Sequence, residues 1–266
     1  MRFIKTNGAT LHVDHRPAAA GAPTVAFSNS LGTDFRIWDG VVAALPAGWG
    51  LLRYDTRGMG LSSLSPSEDV ATNAADLAAL VDALKVDRVV PCGLSIGGLI
   101  VQRFALDFPD RVAALVLCCT GARIGNRHDW EARNATVRVE GLSVLGEVTM
   151  ERWFSPRFRS AAPDVIVGMR AMLERQSVAG YAALCALLRD TDLFGEIGRI
   201  DVPVLGLAGS LDQSTPPELV ERTVAAVKDG THKVLDGLAH IPCVEAPETV
   251  AGAIGSFLKE KGIADG

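Results

Sequence analysis

Short apolar runs that end in turn residues alternate with a helical pattern in the first part of the chain. Residues 11–15, 24–28 and 50–54 contain β-branched or aromatic side chains and precede Gly, Pro, Asn or Asp, which predicts three strands. Leucine and valine recur at helical spacing over 71–84, so this segment is predicted to be an amphipathic helix. The two periodicities together predict strands and helices in alternation.

The next segments favour a parallel sheet that helices cover on both faces. Residues 88–92 predict a strand, residues 97–107 a largely buried helix, and residues 112–118 a strand whose continuous apolar run is typical of burial on both sides. Pro91 lies inside the first of these strands, where it would remove a hydrogen bond of the ladder. Apart from that conflict, the pattern predicts an α/β fold.

The alternation stops between residues 123 and 193, where helix-favouring and aromatic segments replace it. It returns with a strand at 202–208, a helix that opens after a proline pair, a strand at 232–235 and a closing helix at 247–259. We therefore predict an α/β-hydrolase core with a mostly parallel sheet, made by residues 1–122 and 194–266. A helical cap is predicted at residues 123–193.

The composition is that of an ordinary globular chain without an excess of positive charge. Of 266 residues, 48% are hydrophobic and 21% are charged, which excludes disordered, collagen-like and coiled-coil chains. The formal net charge of −5 argues against a nucleic-acid partner, because phosphate contacts need clustered Lys and Arg. Since no long apolar stretch or export signal is evident, we expect no membrane partner and a cytoplasmic location.

The five cysteines lack the spacing of a metal site or a disulfide framework. We therefore expect reduced, packed thiols. Neither G-x-G-x-x-G nor the Walker A pattern occurs, so neither a cofactor nor a metal is predicted.

The segment Gly93-Leu94-Ser95-Ile96-Gly97 matches the G-x-S-x-G pattern of a nucleophile elbow. In such an elbow the flanking glycines allow close backbone approach, and the serine hydroxyl is exposed on a strained turn between a strand and a helix. The bare pattern also fits an ordinary turn. The predicted strand before it and helix after it favour Ser95 as the nucleophile.

A serine hydroxyl is a weak nucleophile at neutral pH, so it needs a base that a carboxylate orients. His240 follows the last predicted strand and can reach the carboxyl edge of the sheet, unlike the other histidines, which are His12, His15, His128 and His232. Asp212 follows the strand at 202–208 and is preferred over Asp192, Asp201 and Asp236. The chain order Ser95, Asp212, His240 is that of α/β-hydrolases.

The oxyanion of a tetrahedral intermediate needs backbone N–H donors. The N–H of Ile96, directly after the nucleophile, is the expected first donor. The second is expected from the loop that follows the strand at 24–28, and within that loop we favour Leu31.

Longer segments carry more information than the elbow alone. They are Ser-Asn-Ser-Leu-Gly-Thr-Asp at 28–34, Leu-Arg-Tyr-Asp-Thr-Arg-Gly at 52–58, Cys-Gly-Leu-Ser-Ile-Gly-Gly at 92–98, Glu-Arg-Trp-Phe-Ser-Pro at 151–156 and Gly-Tyr-Ala-Ala at 180–183. Together these segments resemble the 3-oxoadipate enol-lactonase family, and the similarity extends over nearly the whole chain. The chain departs from many members at Met59 and Ile96, which removes no catalytic atom.

The resemblance implies a cytoplasmic bacterial hydrolase of aromatic degradation, in the protocatechuate/β-ketoadipate pathway. It would open 3-oxoadipate enol-lactone to 3-oxoadipate through an acyl-enzyme. The expected partner is therefore a small anionic lactone, and a homo-oligomer is compatible with the sequence.

Such a substrate carries a carboxylate, so its pocket requires a cation although the net charge is negative. The predicted cap supplies Arg123, Arg127, Arg133 and Arg138. We favour Arg133 as the carboxylate ligand and Trp130 and Trp153 as pocket walls. The alternative is a solvated helix face that neighbouring acidic residues balance.

Other functions would keep the same catalytic residues. A general carboxylesterase or perhydrolase would lack selectivity for a small anionic lactone. A carbon–carbon bond hydrolase would prefer a ring-fission product. A non-enzymatic receptor is disfavoured because Ser95, Asp212 and His240 are all present.

Overall fold

Eight strands form a single sheet in the computed structural model, which describes residues 2–65, 67 and 69–264. In chain order they are β1 (Arg2–Thr6), β2 (Ala9–Arg16), β3 (Thr24–Ser28), β4 (Gly50–Tyr54), β5 (Val90–Leu94), β6 (Leu115–Cys118), β7 (Val204–Gly209) and β8 (Gly230–Leu235). Their order across the sheet is β1-β2-β4-β3-β5-β6-β7-β8. Only the β1–β2 and β2–β4 pairs are antiparallel among these strands, so the sheet is mostly parallel, as predicted.

Helices connect the strands and cover the sheet. They are α1 (Asp39–Ala44), α2 (Val70–Ala83), α3 (Ile96–Asp107), α4 (Arg127–Glu140), α5 (Gly146–Trp153), α6 (Pro156–Ala161), α7 (Pro163–Glu174), α8 (Val178–Asp190), α9 (Pro217–Ala225), α10 (Pro242–Glu245) and α11 (Pro247–Glu260). Short 3₁₀ turns lie at Phe35–Trp38, Pro109–Arg111, Ser143–Leu145 and Ile197–Arg199. Among the described residues, no helix combines the length and apolar character needed to cross a membrane.

The connections reverse direction between β3 and β5, which are neighbours in the sheet. From β3 the chain passes through α1 to β4, whereas from β5 it passes through α3 to β6 on the other side. Right-handed crossovers then place α1 and α3 on opposite faces. Accordingly α1 packs against α11, and α3 packs against α2. A reversal of this kind leaves a crevice at the carboxyl ends of the two strands, where ligands of open α/β sheets bind.

Five helices, α4 to α8, fill the segment between β6 and β7, where the alternation of strands and helices was predicted to stop. Helix α4 packs against α8, and α5 packs against α7. Trp153, Phe154 and Tyr181 are buried within this helical segment. The predicted core and cap boundaries, residues 1–122 and 194–266 against residues 123–193, stay a prediction.

Pro91 is a member of β5, and a shift in the register explains how the sheet accepts it. Val89 pairs with Val112, whereas Cys92 already pairs with Val116, so the β6 side contains one additional residue between the two pairs. An extra residue of this kind interrupts the ladder and forms a bulge. A proline, which has no N–H, is tolerated there.

A buried ion pair joins the loop after β4 to helix α2. Arg57 and Asp76 are 6% and 1% exposed, and the Arg57 Nε donates to Asp76 Oδ2 at 2.6 Å. Arg57 also donates to the Asn7 carbonyl oxygen, and the Asn7 side chain donates to Asp76 Oδ1 at 3.0 Å. This network fastens the β1–β2 hairpin and the β4 loop to the same helix.

We expect Asp76→Ala to lower the free energy of unfolding by about 3–5 kcal/mol, because the substitution leaves Arg57 buried without its counter-charge. Asp82→Ala is the matched control, since Asp82 is on the same helix and pairs with Arg111 at the surface. Its cost should stay below about 1 kcal/mol. Urea denaturation of both variants measures the difference, and equal midpoints would contradict the expectation.

Candidate active site

Ser95 occupies the turn between β5 and α3 with a strained backbone. Its φ of 56° and ψ of −120° are unusual for a residue that has a side chain. A Cβ at Gly93 would lie 2.3 Å from the Gly97 carbonyl oxygen, and one at Gly97 would lie 2.3 Å from the Ser28 carbonyl oxygen. Both positions therefore require glycine, because the neighbouring backbone leaves no space for a Cβ. This explains the two glycines of the G-x-S-x-G pattern.

Hydrogen bonds from the end of β6 hold this turn in place. The Ser95 N–H donates to the Cys118 carbonyl oxygen at 3.1 Å, and the Thr120 hydroxyl donates to the Ser95 carbonyl oxygen at 2.6 Å. Helix α3 begins at Ile96, so the N–H of Ile96 is one of the first four of the helix, which have no acceptor inside it. That N–H therefore remains available at the position predicted for an oxyanion donor.

Asp212 and His240 meet at the carboxyl ends of β7 and β8. The His240 Nδ1 lies 2.8 Å from Asp212 Oδ2, and both side chains are buried. Asp212 also accepts hydrogen bonds from the N–H groups of Ser214 and Thr215 and from the Thr215 hydroxyl. These contacts fix the position of the carboxylate. Because Nδ1 of His240 faces Asp212, Nε2 is the ring nitrogen that is not bonded to the carboxylate.

The environment of Asp212 favours its ionised form. Burial by itself would raise the pKa of this carboxyl, but the charge of His240 and the hydrogen bonds from His240 and Thr215 hold the pKa below its usual value. Asp212 is therefore a carboxylate at neutral pH. It accepts a hydrogen bond from His240 Nδ1–H, which makes Nε2 the ring nitrogen without a proton, able to act as an acceptor.

Ser95 and His240 line the same cavity of about 280 Å³, at the crevice between the carboxyl ends of β3 and β5. Ser30 and Leu31, from the loop after β3, line it as well. Ser28 pairs with Gly93 in the sheet, which brings this loop beside the Ser95 turn. The structure thus gathers at one cavity the predicted nucleophile, base and second oxyanion donor.

Helices α4 and α5 contribute a second wall, which includes the predicted substrate-binding residues Trp130, Arg133 and Trp153. The Arg133 guanidinium lies over the Trp130 ring, 5.5 Å from its centroid, and Nη1 donates to the Tyr181 hydroxyl at 3.4 Å. Trp130 is itself fixed by a hydrogen bond of 2.7 Å to the Ile124 carbonyl oxygen.

The three other arginines considered from the sequence lie outside this wall. Arg123 pairs with Asp192, Arg127 pairs with Asp190 and Glu131, and Arg138 donates to the Asn134 side chain. Arg133 is the one of the four that lines the cavity.

Sequence reasoning missed several residues of the cavity wall. They are Asp129, Thr149, Arg152, Tyr181, Gln213 and Ser214. A signal for Arg152 was present, because it belongs to the Glu-Arg-Trp-Phe-Ser-Pro segment and lies three residues after Thr149 on the same helix. Burial raises the pKa of Tyr181 to about 12, so its phenol is protonated at neutral pH.

The fold and the elbow are those of a hydrolase, and comparisons with known proteins give the family. A model described as the alpha/beta hydrolase family matches residues 20–253. The chain belongs to the alpha/beta hydrolase family, which confirms the predicted fold class. Its similarity to named ester hydrolases also confirms the prediction of an enzyme of the serine hydrolase class.

Among curated relatives, the chain is similar to 3-oxoadipate enol-lactonase 2 of Acinetobacter baylyi, at 33% identity over 90% of each chain. The enol-lactonase structure from Burkholderia xenovorans LB400 is 32% identical, covers 97% of this chain and all (100%) of its own, and has a TM-score of 0.92. A thermophilic esterase from Thermogutta terrifontis, solved with malate bound, is 26% identical with full (100%) coverage of both chains and a TM-score of 0.91.

We expect Ser95→Ala to abolish both ester hydrolysis and covalent labelling by a fluorophosphonate, because the alkoxide that attacks the probe is lost. The matched control is Ser30→Ala, which removes the hydroxyl that the loop after β3 contributes to the cavity and should retain the label. Intact-protein mass spectrometry measures the mass added by the fluorophosphonate. Labelling of the Ser95→Ala variant would show that another residue is the nucleophile.

Proposed function

We propose that this protein hydrolyses 3-oxoadipate enol-lactone to 3-oxoadipate by a Ser95–His240–Asp212 triad. The observation that carries the proposal is the joint presence of Ser95, His240 and the Arg133–Trp130 pair in one cavity. At about 280 Å³ the cavity is at the small end of ligand pockets. It suits a compact anionic substrate rather than a long acyl chain.

In the proposed mechanism, His240 Nε2 takes the proton of the Ser95 hydroxyl, and the oxygen attacks the lactone carbonyl carbon. Asp212 stabilises the imidazolium that results, through its bond to Nδ1. The N–H groups of Leu31 and Ile96 are the proposed donors to the oxyanion. Collapse of the intermediate breaks the ring carbon–oxygen bond and leaves the acyl group on Ser95.

The ring oxygen leaves as an enolate, which takes the proton from His240 and then becomes the ketone. An enolate is a better leaving group than an alkoxide, so ring opening needs less assistance than hydrolysis of an alkyl ester. Water activated by His240 then attacks the acyl-enzyme and releases the second carboxylate of 3-oxoadipate.

Local charge supports an anionic substrate. The chain has a formal net charge of −5, yet two arginines, Arg133 and Arg152, line the cavity together with one carboxylate, that of Asp129. A guanidinium can bind a carboxylate with two parallel hydrogen bonds, and exclusion of water strengthens that contact. We propose Arg133 as the principal ligand of the substrate carboxylate, with Trp130 and Trp153 as apolar walls.

The names of the relatives support the same substrate. Two structural neighbours at high TM-score are an enol-lactonase and an esterase with malate, a small dicarboxylate, bound. The resemblance found in the sequence supports the finer assignments, namely the protocatechuate/β-ketoadipate pathway, a cytoplasmic location and a small anionic lactone as partner.

The second candidate is a general carboxylesterase, which the likeness to the Thermogutta terrifontis esterase favours. It would use the same proposed triad, but would require no cation for its substrate. The two functions are therefore separated by their preference for an anionic lactone over a neutral ester.

We expect freshly generated 3-oxoadipate enol-lactone to be hydrolysed with a kcat/KM about 10- to 100-fold above that of a neutral aryl acetate, because a bound carboxylate contributes roughly 1.5–3 kcal/mol. Progress curves with both substrates measure the ratio. A higher kcat/KM for the neutral ester would favour the general esterase instead.

Arg133→Ala should raise the KM for the lactone by about 10- to 100-fold through loss of a charge-assisted contact, and should leave hydrolysis of the neutral ester nearly unchanged. Arg127→Ala is the matched control, because Arg127 lies on the same helix and pairs with Asp190 and Glu131 outside the cavity. An unchanged KM for the lactone in Arg133→Ala would remove Arg133 from the carboxylate site.

A further inference from the structure

We propose that Glu245 is a positioning residue that fastens the loop of the base His240 to the helical segment bearing Trp153. This inference rests on the proposed function, since that function makes His240 the base and Trp153 a wall of the substrate cavity. Glu245 is the last residue of α10, five residues after His240. No motif considered in the sequence includes it.

One carboxylate makes three contacts that bridge distant parts of the chain. Glu245 Oε1 accepts the N–H of Ala239 at 2.8 Å. Glu245 Oε2 accepts the N–H of Ser155 at 3.1 Å and the Ser155 hydroxyl at 2.6 Å. Ala239 directly precedes His240, and Ser155 lies two residues after Trp153.

A direct backbone contact completes the connection on the other side of the base. The N–H of Ile241 donates to the Trp153 carbonyl oxygen at 3.0 Å. The residues immediately before and after His240 are thus both bonded to the segment 153–155, one through Glu245 and one directly. His240 is held between these two anchors.

A carboxylate is the suitable group for this position because it only accepts hydrogen bonds, and all three of its partners are donors. A glutamine amide would present an N–H₂ group to at least one N–H or O–H donor. The loop also bonds to the core, where the Leu211 N–H donates to the Leu238 carbonyl oxygen at 2.9 Å, next to Asp212. The loop of the base is therefore held both by the strand β7 side, through Leu211, and by the segment 153–155.

The consequence is that the substrate wall and the base are placed as one unit. A small displacement of a catalytic group costs up to about 100-fold in rate. We expect Glu245→Gln and Ser155→Ala each to lower kcat by roughly 10- to 100-fold. The effect should extend to a neutral aryl acetate, whose turnover needs the base but not the carboxylate ligand.

Two substitutions at Ser155 separate this bridge from helix capping, because the Ser155 hydroxyl also accepts the Phe158 N–H at the start of α6. Ser155→Thr keeps the hydroxyl and should restore most of kcat. Ser155→Asp keeps an N-cap acceptor but faces Glu245 with a second carboxylate, and should be as slow as Ser155→Ala. The matched surface controls are Ser160→Ala and Glu248→Gln, which should retain wild-type kcat.

The double variant Ser155→Ala/Glu245→Gln should be about as slow as the slower single variant, because both changes break the same bridge. Thermal melting identifies any variant that fails to fold. In that case, kcat of the Ser155→Thr variant still reports on the bridge. Unchanged kcat on the aryl acetate in folded Glu245→Gln and Ser155→Asp would overturn the proposal. So would additive losses in the double variant.

The two substrates keep this test distinct from that of the proposed function. Wild-type protein that hydrolyses the aryl acetate but not the lactone contradicts the proposed substrate, while the variants still report on the base through the ester. Lactone hydrolysis by wild type with unaffected variants contradicts the positioning role alone.

Discussion

The close approach of three backbone segments around Ser95 is the constraint on which the rest of the site depends. The Ser95 turn is pressed against its own helix at Gly97 and against the end of β3 at Ser28, with no room for a Cβ at either glycine. This contact brings the loop containing Leu31 beside the serine and places both at the point where the sheet connections reverse. The strain at Ser95 is thus sustained by the packing of the sheet itself.

Electrostatics then distinguish the site from the rest of an acidic chain. Asp212 remains ionised because hydrogen bonds and the neighbouring imidazole outweigh the cost of its burial. Arg133 and Arg152 line the cavity, whereas Arg127 on α4 pairs with Glu131 and Asp190 at the surface. The charge of the cavity lining therefore depends on which side chains the fold brings there, namely two arginines and Asp129, rather than on the net charge of the chain.

The helical segment between β6 and β7 lines the cavity and also contacts the loop of His240. Through Trp153 and Ser155 it contacts the residues on either side of His240, so its position and that of the imidazole are linked. The shape of the cavity and the placement of His240, the proposed base, therefore depend on the same few hydrogen bonds. Selectivity and rate would then change together.

Local signals in the sequence determined the elbow, the order of the elements and the loops that carry Asp212 and His240, because glycine spacing and strand ends are local properties. They could not explain Pro91, which depends on one additional residue in the neighbouring strand. They favoured Arg133 among four arginines, but only the folded chain shows that it is the one of the four that lines the cavity, and they gave no role to Glu245. Those roles depend on contacts between segments as distant in the chain as Ser155 and Glu245, and only tertiary packing brings such segments together.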